Sequence, residues 1–207
     1  MKIIKKVSVR EVKRTFVISN NIRIQKNGRR YLGKISKEEF RKKFLQSKRK
    51  GLQMTNGQLD KHISPDWPRR LHSYNSSDWH IVEVKPTEIG VWKRAGDLPL
   101  SWTNGSLKDT ADKVRDALEK NSKKLARRAK RAVSNMLVTN VGMLQKEKYL
   151  LPIIFKGGTG THGRHGFKHV MRGDIDDGCM RSIALAVHGV KTIRAYIGFP
   201  KKVRKVH

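Results

Sequence analysis

The stretch 174–197 constrains the fold of this chain more than any other part of its sequence. Three aspartates and Gly178 form a polar turn, after which the apolar run 179–187 predicts a helix that ends at Gly189. Residues 191–197 then alternate between polar and apolar types and are rich in β-branched side chains, which predicts a strand. A glycine turn between a strand and a helix presents backbone N–H groups and the positive helix end to an anion. The sequence therefore predicts an anion-binding site at this turn.

The chain is also strongly basic, with 47 Lys and Arg against 17 Asp and Glu in 207 residues and a formal net charge of +30. Such a surface attracts polyanions, nucleic acid before anionic membrane. No apolar run is long enough to span a membrane, and no N-terminal segment has the apolar core of a signal peptide. The single cysteine fits a reducing compartment. We therefore expect a cytoplasmic protein that binds nucleic acid, DNA before RNA, and no membrane; a protein that is basic because it packs against ribosomal RNA is the alternative.

Charge and turn residues suggest a division of the chain. Residues 1–50 predict a basic nucleic-acid-binding module of a β-hairpin and a helix, because apolar and polar residues alternate, as in strands, over 1–35. Residues 51–79, rich in Gly, Asn, Ser and Pro, predict a linker or an extended loop. Residues 80–200 are expected to form the core, and 201–207 a basic tail.

Two predicted helical segments have basic faces. The first begins at Ser36, where Glu39 completes a capping-box pattern. The second begins after Ser106, with Asp109 at the capping-box position, and has helical periodicity over about thirty residues from Leu107, as one helix or as two broken near Asn121. A basic helix face can be plain solvated surface, but the shared sign of the charge favours contact with phosphates. The residues assigned to this contact are Arg29, Arg30, Lys42, Lys43, Lys48, Arg49, Lys50, Lys123, Lys124, Arg127, Arg128 and Arg131.

A glycine-rich loop follows the buried-type strand 150–155. Its first residues, Lys156, Gly157 and Gly158, are candidates for binding phosphate. The loop superficially imitates a P-loop, but the lysine and the Ser or Thr that would hold phosphate and magnesium are absent. Its histidines have no second ligand cluster at ordered spacing, so we predict no metal site there.

The order of these motifs resembles the core of the ParB/sulfiredoxin superfamily. The resemblance covers about residues 80–200 and rests on a Leu-Pro-Ile-Ile strand, a loop, a strand, an Asp-Gly-x-x-Arg turn that opens a helix, and a final Ile-x-Ala-Tyr-Ile strand. It implies an α+β fold with a mixed sheet and helices, here preceded by the small basic hairpin and helix, as in phage or mobile-element proteins. In that family the turn holds a nucleotide phosphate, which implies Gly178 and Arg181 as ligands and ATP or CTP with Mg²⁺ as a candidate cofactor.

The same turn contains the candidate catalytic residues Asp177, Cys179 and Arg181. Cys179 falls where sulfiredoxins place their catalytic cysteine, and a thiol at a helix start beside an arginine is expected to have a lowered pKa. Met180 replaces the family's histidine. Asp174, Asp176 and Asp177 could hold a divalent ion or simply form the turn. Three functions stay open: a DNA-binding protein with nuclease activity, a non-enzymatic polyanion-binding protein, and a nucleotide-dependent phosphotransferase.

Overall fold

The computed structural model describes residues 1–22, 36–63, 68–139, 141–157 and 172–201, with backbone alone at 25–26, 29–30, 68 and 137–139. The strands are β1 (Lys2–Val7), β2 (Gln25–Lys26), β3 (Arg29–Arg30), β4 (Ser77–Val84), β5 (Ile89–Gly90), β6 (Ile153–Lys156), β7 (Gly173–Asp177) and β8 (Ile193–Pro200). The helices are α1 (Val9–Asn21), α2 (Lys37–Gln53), α3 (Asn56–Ile63), α4 (Pro68–Asn75), α5 (Leu107–Glu119), α6 (Arg127–Thr139), α7 (Val141–Lys146) and α8 (Cys179–Val187).

Six of these strands form a mixed sheet in the order β1-β4-β8-β6-β7-β5. The pairs β1/β4, β4/β8 and β6/β7 are antiparallel, whereas β6/β8 and β5/β7 are parallel. Together with the helices, this sheet confirms the predicted α+β class. The predicted hairpin is also present, since Lys26 pairs with Arg29 and Gln25 with Arg30.

Successive residues of the central strands belong to two different apolar cores, because side chains alternate between the faces of a sheet. On β4, Trp79 packs in a core with residues of α1, α3 and α4, and Val82 packs in the other with residues of α5, α6 and α8. The Trp79 ring lies 5.3 Å from that of Tyr74 and 5.1 Å from that of Phe155. Trp79 is therefore a core anchor, the role expected by default for a tryptophan.

The strands predicted over residues 1–35 are wrong from Val9 to Asn21, which form α1. The Ser8 side chain caps this helix by accepting a hydrogen bond from the Glu11 N–H. Val12 and Thr15 are fully buried and Ser19 is buried as well, at spacings of three and four residues that place them on one side of a helix, so helical periodicity overrides the alternation. Because β1 pairs with β4, residues 1–22 belong to the same sheet and core as the later part of the chain, not to a separate module.

The linker predicted over residues 51–79 instead contains α3 and α4 and the start of β4. Leu59 and Ile63 are buried, and so is Tyr74, which gives these short polar helices an apolar side to pack. Pro68 stands at the first position of α4, where a missing N–H costs nothing. Pro68 therefore marks the start of a helix and not an extended loop.

The helix starts predicted at Ser36 and Ser106 are confirmed, and the reciprocal capping box is formed at Ser106. The Ser36 side chain accepts from the Glu39 N–H at the start of α2, and Ser106 and Asp109 form a reciprocal capping box at the start of α5. The long periodic segment is two helices, α5 and α6, because the chain turns at Asn121, which has a φ of +46°. Asparagine is one of the few residues that tolerates this conformation.

Candidate functional site

The predicted turn joins β7 to α8 through Gly178. Its φ of +92° lies in the left-handed region, and a Cβ atom added there would meet Arg181 Nη2 at 2.8 Å. The positive φ favours glycine here, and any Cβ atom would in addition require the Arg181 guanidinium to shift. At the other end of α8, Gly189 has a φ of +85°, as a helix-terminating glycine should. The helix predicted here is thus confirmed and the turn is present at Gly178, but the three aspartates expected in the turn lie in β7 instead.

Arg181 turns back over this glycine and pairs with Asp177. Its Nη2 atom lies 2.7 Å from Asp177 Oδ2, and the two residues are only 7% and 6% exposed. Two side chains from the end of α1 approach the same carboxylate: Ser19 Oγ donates to Oδ2 at 3.0 Å and Asn20 Nδ2 to Oδ1 at 3.4 Å. The arginine assigned to an external phosphate is therefore neutralised by a neighbour and enclosed by α1.

Asp176 is held by a second set of side chains, from α4. Arg70 Nε lies 3.0 Å from Asp176 Oδ2, and the Tyr74 hydroxyl donates to the same oxygen at 2.9 Å. Burial raises the pKa of Tyr74 well above its usual value, and the Asp176 charge acts in the same direction. The Trp92 indole N–H donates to the Asp176 carbonyl oxygen at 3.1 Å. Asp176 thus joins α4 and the segment after β5 to the turn.

Cys179 opens α8, but it is not an activated thiol. The residue keeps partial solvent exposure, yet its sulfur points to the Ile175 carbonyl oxygen at 4.0 Å. Burial raises the pKa of the thiol to about 12, and the Asp177 and Asp176 carboxylates add to this rise. The predicted lowering of this pKa is wrong, because desolvation outweighs the helix end and the arginine. Cys179 is therefore a thiol at neutral pH.

The remaining phosphate candidates do not meet at the turn. β6 and β7 are antiparallel, with Ile153 opposite Asp177 and Lys156 opposite Gly173. Lys156 and Gly157 consequently lie at the far end of β7, about 13 Å from Asp177 at the usual rise of a strand. Gly157 donates its N–H to the Arg172 carbonyl oxygen at 3.2 Å. Gly158 and the three histidines of the loop lie outside the described residues.

The basic residues predicted to contact phosphates lie mostly on exposed helix surface. On α2, Lys42, Arg49 and Lys50 are exposed. Two other α2 lysines take part in ion pairs, since Lys43 Nζ lies 3.6 Å from Glu39 Oε1 and Lys48 Nζ lies 3.2 Å from Glu147 Oε2. The side chains of Arg29 and Arg30 lie outside the described part of the chain, although their backbone forms β3.

The second basic stretch runs from the turn after α5 into the first turns of α6. Lys123, Lys124, Arg127 and Arg128 are exposed, and Arg131 is half-buried. Arg128 keeps 58% side-chain exposure even with its Nη1 atom 3.7 Å from Asp97 Oδ1. Lysine and arginine at this density on a helix face leave several positive charges in contact with solvent.

Sequence reasoning missed the side chains that close the turn, namely Ser19, Asn20, Arg70 and Tyr74 for the carboxylates and Trp92 for the backbone. Their partners lie between 84 and 158 residues away in the chain. No local spacing signals such contacts.

The described residues contain no group of three or more His, Cys, Asp or Glu side chains placed to hold a metal ion. Their helices include none with both the length and the apolar character needed to cross a bilayer.

Comparison of the chain with models of protein families, with curated proteins and with solved structures gives no significant match. Its function therefore has to be argued from its own charge distribution and geometry.

Proposed function

We propose that this chain is a nucleic-acid-binding protein that contacts the phosphate backbone through α2 and through residues 123–131, with duplex DNA as the expected ligand. The observation that carries the proposal is a contrast in exposure. Lys42, Arg49 and Arg127 present their charges to solvent, whereas Arg181 is buried against Asp177.

The net charge of +30 supplies the driving force for this binding. Each phosphate that a lysine or arginine neutralises releases condensed counterions, so affinity rises steeply as salt falls. An ion pair links the two basic stretches. Helix α7 follows α6 in the chain, and Glu147, the residue directly after α7, pairs with Lys48 of α2. Extended basic surface of this kind fits a polyanion better than a small anionic ligand.

The resemblance to ParB-like proteins supports DNA as the polyanion. The consecutive order of β6, β7, α8 and β8 is the order of elements on which that resemblance rests, and we propose the same superfamily for this core. A phage or mobile-element protein of this type would use the core as a scaffold and the basic helices for affinity.

Binding is a better proposal than catalysis because the candidate catalytic side chains of the turn are buried, already paired or protonated. A nuclease or a phosphotransferase needs side chains that reach a substrate. Asp177 and Arg181 are enclosed, and Asp176 is already held by Arg70 and Tyr74. Cys179 is protonated at neutral pH.

A second candidate function, capture of a nucleotide phosphate at the turn, is favoured by one specific observation. Arg181 Nε is buried and has no hydrogen-bond partner among the described residues. An anion bound beside Gly178 would give this atom a partner after Arg181 leaves Asp177. ATP or CTP with Mg²⁺ should then raise the melting temperature of the wild type but not of Arg181→Lys; no shift with either nucleotide would remove this candidate.

The main proposal is tested by the salt dependence of binding to a fluorescent DNA duplex, measured by anisotropy. The slope of log affinity against log salt should be about −0.9 per phosphate contacted. The triple variant Lys123→Ala, Lys124→Ala, Arg127→Ala should flatten that slope by about 2 to 3. A matched control, Lys108→Ala with Lys120→Ala, removes two lysines that pair with aspartates on α5 and should leave it nearly unchanged.

A salt-independent affinity, or a triple variant that binds like the wild type, would contradict the proposal. Single-stranded DNA and duplex RNA of equal length serve as competitors. A clear preference for RNA would mean that RNA, and not DNA, is the ligand.

A further inference from the structure

The outer edge of the sheet at β1 is unusual for its exposure. β1 stands first in the strand order, and its described partner is β4. Its residues 2–6 are all exposed, so neither face of this strand is covered by the described helices. An edge strand of this kind presents backbone N–H and C=O groups for pairing with another strand.

Two isoleucines lie side by side on this edge. Ile3 is 55% exposed and Ile4 is 42% exposed. The pairing register passes from Ile3 opposite Val82 to Lys5 opposite Ile81, so Ile4 is the extra residue of a bulge. Exposed β-branched residues beside a sheet edge are the side chains that an added strand would cover.

The charges on the same edge decide which strand that would be. Lys2, Lys5 and Lys6 are exposed beside the isoleucines. Pairing two copies of this edge would place lysines near lysines, which is unfavourable, and lysines and bulges are devices that discourage such self-association. A strand with acidic side chains would instead meet Lys2, Lys5 and Lys6, of which Lys6 lies 3.6 Å from Asp78 Oδ1 on the neighbouring strand.

We propose that β1 binds an extended acidic segment of a partner protein, which adds to the sheet as a further strand. The β1 backbone is already ordered by its register with β4 over Lys2–Val7. Binding therefore costs mainly the ordering of the partner segment. This surface is separate from the basic residues proposed to contact nucleic acid, and the inference does not depend on that proposal.

The test uses a synthetic eight-residue peptide that alternates Glu and Val, with Lys in place of Glu as its charge control. Two further peptides are N-methylated on alternate amides, one on each of the two possible sets. Because an added strand uses one edge of the peptide backbone, one methylated peptide should bind at least tenfold more weakly and the other nearly as well as the parent. Hydrogen exchange should slow at backbone amides of β1 when the acidic peptide is added.

The matched protein variant is Ile3→Ser with Ile4→Ser, which changes two exposed side chains and leaves every charge in place. It should bind the acidic peptide at least tenfold more weakly, with an unchanged unfolding curve and unchanged affinity for duplex DNA. Equal binding of both methylated peptides would show charge attraction without strand pairing, and a Lys peptide that binds as tightly as the Glu peptide would show that charge does not select the partner. Either result would overturn the inference. So would self-association that the double variant abolishes, or a loss of DNA affinity in that variant.

Discussion

The β7–α8 turn and the basic stretch at residues 123–131 both contain arginines close to a helix start, but the two regions use that charge in opposite ways. At the turn, Arg181 is 7% exposed and lies against Asp177. In the basic stretch, Arg128 keeps 58% side-chain exposure although its Nη1 atom lies 3.7 Å from Asp97 Oδ1. The difference shows that the charge of Arg128 remains accessible to solvent, whereas that of Arg181 is neutralised by a buried neighbour.

The two arrangements also differ in what their loss should do to the molecule. Breaking a buried ion pair strands a charge in a poorly solvated place, which costs several kcal/mol of stability. Removing an exposed charge costs little stability, because water solvates it in both states. Substitutions at the turn should therefore lower the free energy of unfolding, whereas substitutions in the basic helices should lower the affinity for the ligand.

The largest effect is expected from Asp177→Ala. This change leaves Arg181 buried without its partner and removes an acceptor from Ser19, so the free energy of unfolding should fall by about 3 to 5 kcal/mol. Asp112, whose side chain is 41% exposed and pairs with Lys108 and Arg115, is the control, and Asp112→Ala should cost less than about 1 kcal/mol. Urea unfolding measures both variants. Equal unfolding midpoints for Asp177→Ala and Asp112→Ala would contradict a buried ion pair between Asp177 and Arg181.

A smaller effect, on affinity and not on stability, is expected from Lys42→Ala, Arg49→Ala and Lys50→Ala combined. Losing three phosphate contacts should weaken duplex binding on the order of 100-fold at about 0.1 M salt. The urea midpoint should stay at the wild-type value, because these α2 side chains are exposed. Unchanged affinity would leave residues 123–131 as the sole basic contact and remove α2 from the account.

The next effect tests the close approach at Gly178. Replacing it by alanine imposes a left-handed backbone and a clash with the Arg181 guanidinium, at a cost of about 1 to 3 kcal/mol. Gly189→Ala imposes a similar φ, +85°, with nothing within 4 Å of the new Cβ. Chemical unfolding should show the larger loss for Gly178→Ala; equal losses would mean that the Arg181 contact adds nothing.

The smallest effect concerns alkaline pH. The thiol of Cys179 has a pKa of about 12 in the folded protein, whereas a cysteine in an unfolded chain ionises near about pH 8.5. Above about pH 9 the unfolded state has lost a proton that the folded state keeps, so stability falls as pH rises, by about 1.4 kcal/mol per pH unit.

Cys179→Ala should remove this slope between about pH 9 and 10. Tyr74 and Tyr196, whose pKa values burial also raises, add a loss of the same sign only at higher pH. A wild type whose stability is flat over that range would contradict a protonated, desolvated Cys179.

Much of the site could be predicted because its signals are local. Gly178 and Gly189 delimit α8, and Ser36 and Ser106 accept the capping bonds expected of them. Each signal depends on residues within one helical turn of each other. The same is true of the exposed basic faces of α2 and α6, which follow from helical spacing.

The errors arose where distant parts of the chain meet. Arg70 lies in a stretch that composition marks as linker, yet it pairs with a carboxylate 106 residues away. Lys156 precedes a glycine-rich loop that resembles a phosphate site, but the antiparallel pairing of β6 and β7 places it at the other end of the strand from Gly178. The activation predicted for Cys179 considered the helix end and the arginine and could not include burial.

Arginine labelling with phenylglyoxal, with and without duplex DNA, tests the central claim most directly. The account predicts that Arg49, Arg127 and Arg128 react in the free protein and are protected by DNA. Arg115, 40% exposed on α5 and donating to carbonyl oxygens at the end of α8, should react equally in both states. Arg181 should stay unlabelled throughout, because it is buried against Asp177. Labelling of Arg49 and Arg127 that DNA does not change, or an Arg181 that reacts when free and is protected by DNA, would contradict the account.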